Sequence, residues 1–137
     1  KRKECIADGA VYDLGCRLAM EYSQDIMARD GELEWVTIEE ATDEKQPIRA
    51  LVSRRILQDE SRLDKEPTLL VVTGKGHVKA GVFSRQHLLV TGLECGSAVQ
   101  FVDEARERNI NVMVLDPNAH GDRCAMKTFE KQKYISN

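Results

Sequence analysis

The sequence predicts an α/β fold with a mixed sheet flanked by helices. Two continuous apolar runs, residues 68–73 (TLLVVT) and 110–115 (INVMVL), read as strands buried on both faces, as in a parallel sheet under helices. A helical period over residues 97–108 lies between them, so strand, glycine loop, helix and strand form a βαβ unit, with a right-handed crossover expected. Upstream, a long helical pattern precedes two shorter strand patterns, which adds an antiparallel pair to the sheet.

The first helix is read from Val11, Leu14, Leu18, Tyr22 and Ile26, whose spacings of three and four put them on one face. Asp8 suits its N-cap, and Asp30-Gly31 stops it. Residues 34–38 (EWVTI) form a strand with Trp35 and Val36 as apolar payload. An acidic loop over 39–46 leads to a second strand over 49–53. Residues 54–66 are charged, with Ile56, Leu57 and Leu63 as anchors, and read as a short helix or an irregular connection. After the 68–73 strand and its glycine loop, the apolar stretch 88–90 is expected as an edge strand or buried loop. The 97–108 helix carries Val99, Phe101, Val102 and Ala105, and Asn109 can cap its end. Phe101, Trp35 and Met113 are expected in the core. Residues 122–137 are basic and poor in apolar side chains, which marks a linker or peripheral segment after a domain over 1–121.

Composition narrows the function. The chain has 137 residues, 42% hydrophobic and 31% charged, enough for one domain with its own core. A net charge of −3 argues against nucleic-acid or anionic-lipid binding driven by bulk charge. No apolar run reaches the ~18 residues that mark a spanning helix. The charged start, Lys1 to Glu4, has no signal-peptide core, and the missing initial Met suggests a processed product or part of a longer protein. Cys5, Cys16, Cys95 and Cys124 form no C-x-x-C pair, so free thiols in a reducing compartment are expected, with no metal and no cofactor. The histidines, His77, His87 and His120, match no common zinc signature.

Two loops end the buried strands, where open α/β sheets bind ligands. The first is Thr73-Gly74-Lys75-Gly76-His77. Its glycines would let backbone approach a ligand, and its N–H groups could hold an oxyanion. Its spacing is neither a P-loop nor a dinucleotide fingerprint. The plainer reading is a tight turn that needs glycine. The second is Asp116-Pro117-Asn118-Ala119-His120-Gly121, where Asp116 or His120 could do acid–base work, and Asp-Pro-Asn is also ordinary turn chemistry. Lys75, Lys79 and Arg85 could receive a phosphate or carboxylate, or simply face solvent. Cys95-Gly96-Ser97 precedes a helix as a nucleophile would, but no G-x-S-x-G occurs, and a buried inert thiol is the expectation for Cys95.

These motifs together resemble a known family. Thr73-Gly74-Lys75-Gly76, then Val78-Lys79-Ala80-Gly81-Val82-Phe83-Ser84-Arg85, then Gly92-Leu93-Glu94-Cys95-Gly96-Ser97, and Val114-Leu115-Asp116-Pro117-Asn118 resemble the Argonaute-binding (Arb-type) domain family. Tyr12-Asp13-Leu14-Gly15 with Glu21-Tyr22 is similar to its leading helix. The resemblance runs over residues 11–121 and implies the N-terminal part of an α/β-hydrolase-like domain. It implies a protein-binding scaffold in RNA silencing, chromatin or RNA metabolism, nuclear or cytoplasmic, as in a fungal Argonaute chaperone subunit, the C-terminal domain of fungal class II histone deacetylases and an animal cotranscriptional regulator. Under it, Gly74, Lys75, Gly76 and His77 are ligand-loop candidates. Lys79, Arg85, Asp116 and Asn118 are candidates for contact with a protein partner, such as an Argonaute or chromatin complex, or with RNA.

The chain departs from the family pattern at three positions. Thr73 stands where the family has histidine, Phe83 where it has tryptophan, and Asp116 where it has the first asparagine of N-P-N. The match ends before any nucleophile elbow, so the chain is expected to be a fragment or a reduced form of the fold. Three readings follow: a non-catalytic scaffold; a serine-type hydrolase whose nucleophile lies outside these 137 residues, with the Lys75 or Gly76 N–H as oxyanion hole; and a small phosphate- or nucleotide-binding domain using Gly74 to His77 and Lys79. A basic face of Lys75, Lys79, Arg85, Arg106 and Arg108 would suit RNA. A sheet of this size has an open edge that needs cover from the rest of the fold, another chain or a dimer mate. Side chains at Gly74 and Gly76 are expected to crowd the loop.

Overall fold

The structure, a computed structural model, describes residues 9–119. The expected Asp8 cap, Cys5, His120, Cys124 and the 122–137 segment lie outside them. Helix α1 (Gly9–Asp30) leads into strands β1 (Leu33–Glu39) and β2 (Ile48–Ser53). Short helices α2 (Arg54–Gln58) and α3 (Arg62–Lys65) precede β3 (Thr68–Val72). Helices α4 (Arg85–Val90), α5 (Leu93–Gly96) and α6 (Val99–Glu107) connect it to β4 (Asn111–Leu115).

The four strands form one mixed sheet in the order β1-β2-β4-β3. β1 and β2 are antiparallel, with Trp35 opposite Leu51, and β2 and β4 are antiparallel, with Leu51 opposite Val114. β3 and β4 are parallel, with Leu70 opposite Met113. The βαβ unit and the antiparallel pair expected from the apolar patterns are thus both present. They share β4 as the joint.

Side chains alternate across the strands, so each face has its own apolar set. Leu33, Leu51, Val71, Val112 and Val114 point to the face covered by α1 and α6, where Ile26, Met27, Val99, Val102 and Ala105 meet them. Ala50 and Val52 point the other way and pack on Ile56 of α2, with half-buried Val36, Met113 and Leu115 against them. A third cluster, Cys16, Met20, Val82 and Leu88, ties α1 to α4.

Helix ends follow local chemistry. At the end of α6, Asn109 sits at φ 57°, the Asn109 N–H donates to Arg106 O, and the Ile110 N–H donates 2.8 Å to Ala105 O. This is a Schellman cap with asparagine in the left-handed position. Gly31 follows α1 because a Cβ there would lie 2.3 Å from Val102 Cγ1 and 2.5 Å from Met27 O.

Several expectations change. β3 is not buried on both faces: Val71 is buried, while Leu70 and Val72 are each 54% exposed. No helix among the described residues lies over them. The 88–90 stretch is helix, not strand, because the Ser84 hydroxyl caps α4 by accepting the His87 N–H at 3.2 Å. Helix α1 buries Cys16, Met20, Ser23 and Met27, so Val11, Leu14, Leu18 and Tyr22 of the expected core face are exposed and only Ile26 is buried. The polar members of the buried face are satisfied: Ser23 Oγ donates to Ala19 O at 2.8 Å and Gln24 Nε2 to Ala80 O at 3.1 Å. Phe101 is exposed on the flank of α6, edge-to-face with Phe83 at 6.2 Å between centroids. Trp35 and Met113 are half-buried at the border of the core. Cys95 is an exposed free thiol, because Gly96 instead packs against Leu88 of α4, while Cys16 is buried and free.

Candidate functional site

The loops that follow β3 and β4 meet at the carboxyl ends of the two parallel strands. Asn118 joins them. Its Oδ1 accepts the Gly76 N–H at 2.9 Å, and its Nδ2 donates to Gly74 O at 2.9 Å and Val78 O at 3.1 Å. One side chain thus closes the glycine loop through three bonds. Asn118 is itself held by its neighbour: Asp116 Oδ1 accepts the Asn118 N–H at 3.0 Å, an Asx turn that fits the Asp-Pro-Asn sequence.

Room for a side chain exists at both loop glycines, contrary to the crowding expected of them. A Cβ on Gly74 or Gly76 would meet nothing within 4 Å. Gly76 needs glycine for a different reason, its φ of 147°.

Beside this clamp lies a cleft of about 240 Å³ lined by Gln24, Trp35, Arg49, Lys79, Asp116 and Asn118, among others. Four parts of the chain build it: α1, the hairpin, the β3–α4 loop and the segment after β4. Arg49 lies over the Trp35 ring at 4.7 Å. Lys79 Nζ pairs with Glu21 of α1 at 3.2 Å. Burial pushes the Asp116 carboxyl above its ordinary range, against the Asn118 N–H, Lys79 and Arg49, which pull it down. The cleft therefore offers two cations, an indole face, amides and a carboxyl that is reluctant to ionise. Thr73, where the family has histidine, is 5% exposed, and its Oγ1 has no hydrogen-bond partner among the described residues.

Of the expected site residues, the structure brings Lys79, Asp116 and Asn118 to the cleft, with Gly74 and Gly76 in the clamp behind it. Lys75 and His77 are exposed on the loop and do not line the cleft. Arg85 turns to α1, where it pairs with Asp13 at 3.4 Å and lies over Tyr12. The proposed basic face is not assembled. Arg106 and Arg108 sit at the end of α6, beside the amino end of β4, while Lys75 lies beyond the carboxyl end of β3. Arg108 also pairs with Glu104 at 2.9 Å.

Trp35, Arg49 and Gln24 belong to the cleft and were not singled out from the sequence as site residues. The hairpin register contains the signal: Trp35 opposes Leu51, so Arg49 is its diagonal neighbour on the same face. At the opposite end of β4, a second cavity of about 150 Å³ is lined by Arg55, Arg106 and Asn109. There Arg55 is consumed by structure, donating to Asn109, to the fully buried Asn111 and to Glu66.

Among the described residues no helix is long and apolar enough to cross a membrane, and no group of His, Cys, Asp or Glu has the arrangement to hold a metal. No family model and no solved structure matches the chain. The chain is similar to the cotranscriptional regulator ARB2A of Mus musculus, 20% identical over 126 residues, which cover 92% of this chain and 29% of that protein. It therefore spans less than a third of the length of that relative. This similarity supports a distant relation to the Arb-type family.

Proposed function

We propose that this chain is part of a non-catalytic, protein-binding scaffold with a hydrolase-like fold, acting in RNA silencing, chromatin or RNA metabolism. The observation that carries the reading is the Asn118 clamp. In α/β-hydrolases a backbone N–H from the loop after the third strand completes the oxyanion hole. Here the Gly76 N–H is already spent on Asn118, and the Gly74 and Val78 carbonyls are held by the same side chain. A loop tied in this way is a rigid surface, suited to presenting the cleft and Lys79 to a partner. The distant relative adds support, since it is described as a cotranscriptional regulator. Work of that kind takes place on chromatin and nascent RNA, so a nuclear location is the first expectation and a cytoplasmic one the second.

The natural polypeptide containing these residues, tagged and crosslinked in its own cells, provides the test. Wild type is expected in the fraction that carries chromatin and nascent transcripts, and Lys79→Glu at the cleft to reduce that recovery several-fold. Recovery free of chromatin and RNA, with turnover of an ester substrate, would replace this reading with the hydrolase whose nucleophile lies elsewhere in the polypeptide.

A further inference from the structure

Two groups in the cleft at the carboxyl ends of the parallel strands are unfinished. The first is the Arg49 guanidinium, which lies over the Trp35 indole at 4.7 Å and has no carboxylate paired with it among the described residues. An indole beneath a guanidinium fixes its plane and leaves the N–H groups at its edge free to fork onto a carboxylate. Lys79, the other cation of the cleft, is already spent on Glu21 at 3.2 Å, so Arg49 is the cation left for a ligand. The second group is the Gln24 amide. Gln24 lines the cleft, is 8% exposed, and donates from Nε2 to Ala80 O at 3.1 Å. Its Oε1 has no partner among the described residues. An amide oxygen this deeply set calls for an N–H donor.

Together the two groups select a ligand. A free phosphate or a lone carboxylate would satisfy Arg49 and leave Gln24 unmet. A backbone N–H alone would satisfy Gln24 and leave Arg49 unmet. An acidic side chain on a peptide backbone supplies both, and Pro47, Val78 and Trp35 give its methylenes an apolar wall. A cleft of about 240 Å³ admits a few side chains and not a helix, which is about 10 Å across. The carboxylates nearby do not bar such a ligand. Lys79 holds Glu21, burial favours the neutral form of Asp116, and those of the 39–46 loop are exposed, where salt screens them. We propose that the cleft binds an acidic peptide segment of a protein partner, with a carboxylate on Arg49 and a backbone N–H on Gln24. The inference rests on the scaffold reading and names the chemistry of the partner at that site.

Nuclear magnetic resonance on the full 137-residue chain tests it, because Trp35 is its one tryptophan and gives a single indole N–H signal at the cleft. The probes are a blocked tripeptide of three glutamates, its three-glutamine counterpart and inorganic phosphate, all at one ionic strength. The glutamate peptide is expected to shift the Trp35 indole and the Gln24 side-chain amide saturably, at about millimolar concentration. The glutamine peptide should bind about tenfold more weakly or not at all. Arg49→Gln, at an exposed position, should keep the melting temperature and lose about tenfold in affinity for the glutamate peptide. Arg49→Lys should recover only part of that loss, because it keeps the charge and gives up the flat stack and the fork. Absence of a saturable shift with the glutamate peptide overturns the proposal. So does equal binding of the glutamine peptide, an affinity that Arg49→Gln leaves intact, or phosphate binding as tightly as the glutamate peptide, which would mark a plain oxyanion site. The scaffold reading is judged separately, by recovery with chromatin and transcripts. A polypeptide recovered there whose cleft ignores the glutamate peptide loses this inference alone.

Discussion

Asn118 is the residue on which the site depends. Asn118→Ala removes three bonds to the loop, two of them to exposed backbone, and should cost about 1–3 kcal/mol in denaturant unfolding, with faster amide exchange over residues 74–78. A change smaller than about 0.5 kcal/mol with unchanged exchange would show that the clamp is incidental. Asp116 is the second such residue. Its carboxyl titrates above the ordinary range because of burial, so its ionisation opposes folding. The stability it permits is fully present below the unfolded carboxylate range and is lost as pH rises through the folded value. Asp116→Asn keeps an acceptor for the Asn118 N–H and removes that loss. It should be more stable than wild type at pH 7, and the advantage should vanish in acid. Equal pH profiles for the two proteins would contradict this account. Glu66 has the opposite sign. Burial raises its carboxyl, but Asn111, Arg55 and Arg62 outweigh burial and leave it lowered. Its contribution is present above the unfolded value and is lost as pH falls through the folded one. Glu66→Gln should therefore flatten the acid limb of the stability curve.

Among the elements, the strands were more legible than the helices. Runs such as 68–73 and 110–115 can hardly be anything else, and their ends fall within a residue or so of β3 and β4. Their burial was harder to read, because an apolar run records what a strand could bury and not what is present to cover it. Leu70 and Val72 are the case in point. In α1 the difficulty is that two apolar stripes lie on one helix. The buried one contains Ser23 and Gln24, whose partners, Ala19 O and Ala80 O, no periodicity reveals. Helix α4 was missed because six residues give too little period, and only Ser84 announced it. At the site, the loop residues were legible as glycine and Asp-Pro-Asn turn chemistry. Their union through Asn118 was not, because it joins residues forty or more apart. Packing at this scale also yields a prediction. Gly81 holds φ 78°, and a Cβ there would lie 2.4 Å from Met27 Cε. Gly81→Ala should cost roughly 1–3 kcal/mol by thermal or denaturant melting, while Gly74→Ala should be near neutral.

For the whole molecule, the sheet is open at β1 and β3 among the described residues. β3 is the more exposed risk, since it is apolar, parallel to its neighbour and bare on one face. Leu70→Lys with Val72→Lys should leave the melting temperature nearly unchanged and reduce light scattering at high concentration. Partner strands or helices supplied by a longer polypeptide would cover the same surface. The cleft lies at the carboxyl ends of the parallel pair, where Lys79 of the clamped loop, Arg49 of β2 and Asp116 after β4 line it together. That loop is described above as a binding surface and not as half of an oxyanion hole. The most direct test is the intact mass of the natural polypeptide containing these residues after treatment with a fluorophosphonate serine probe. The account predicts an unchanged mass. A stoichiometric single adduct on a serine would contradict it and make the glycine loop part of a working hydrolase.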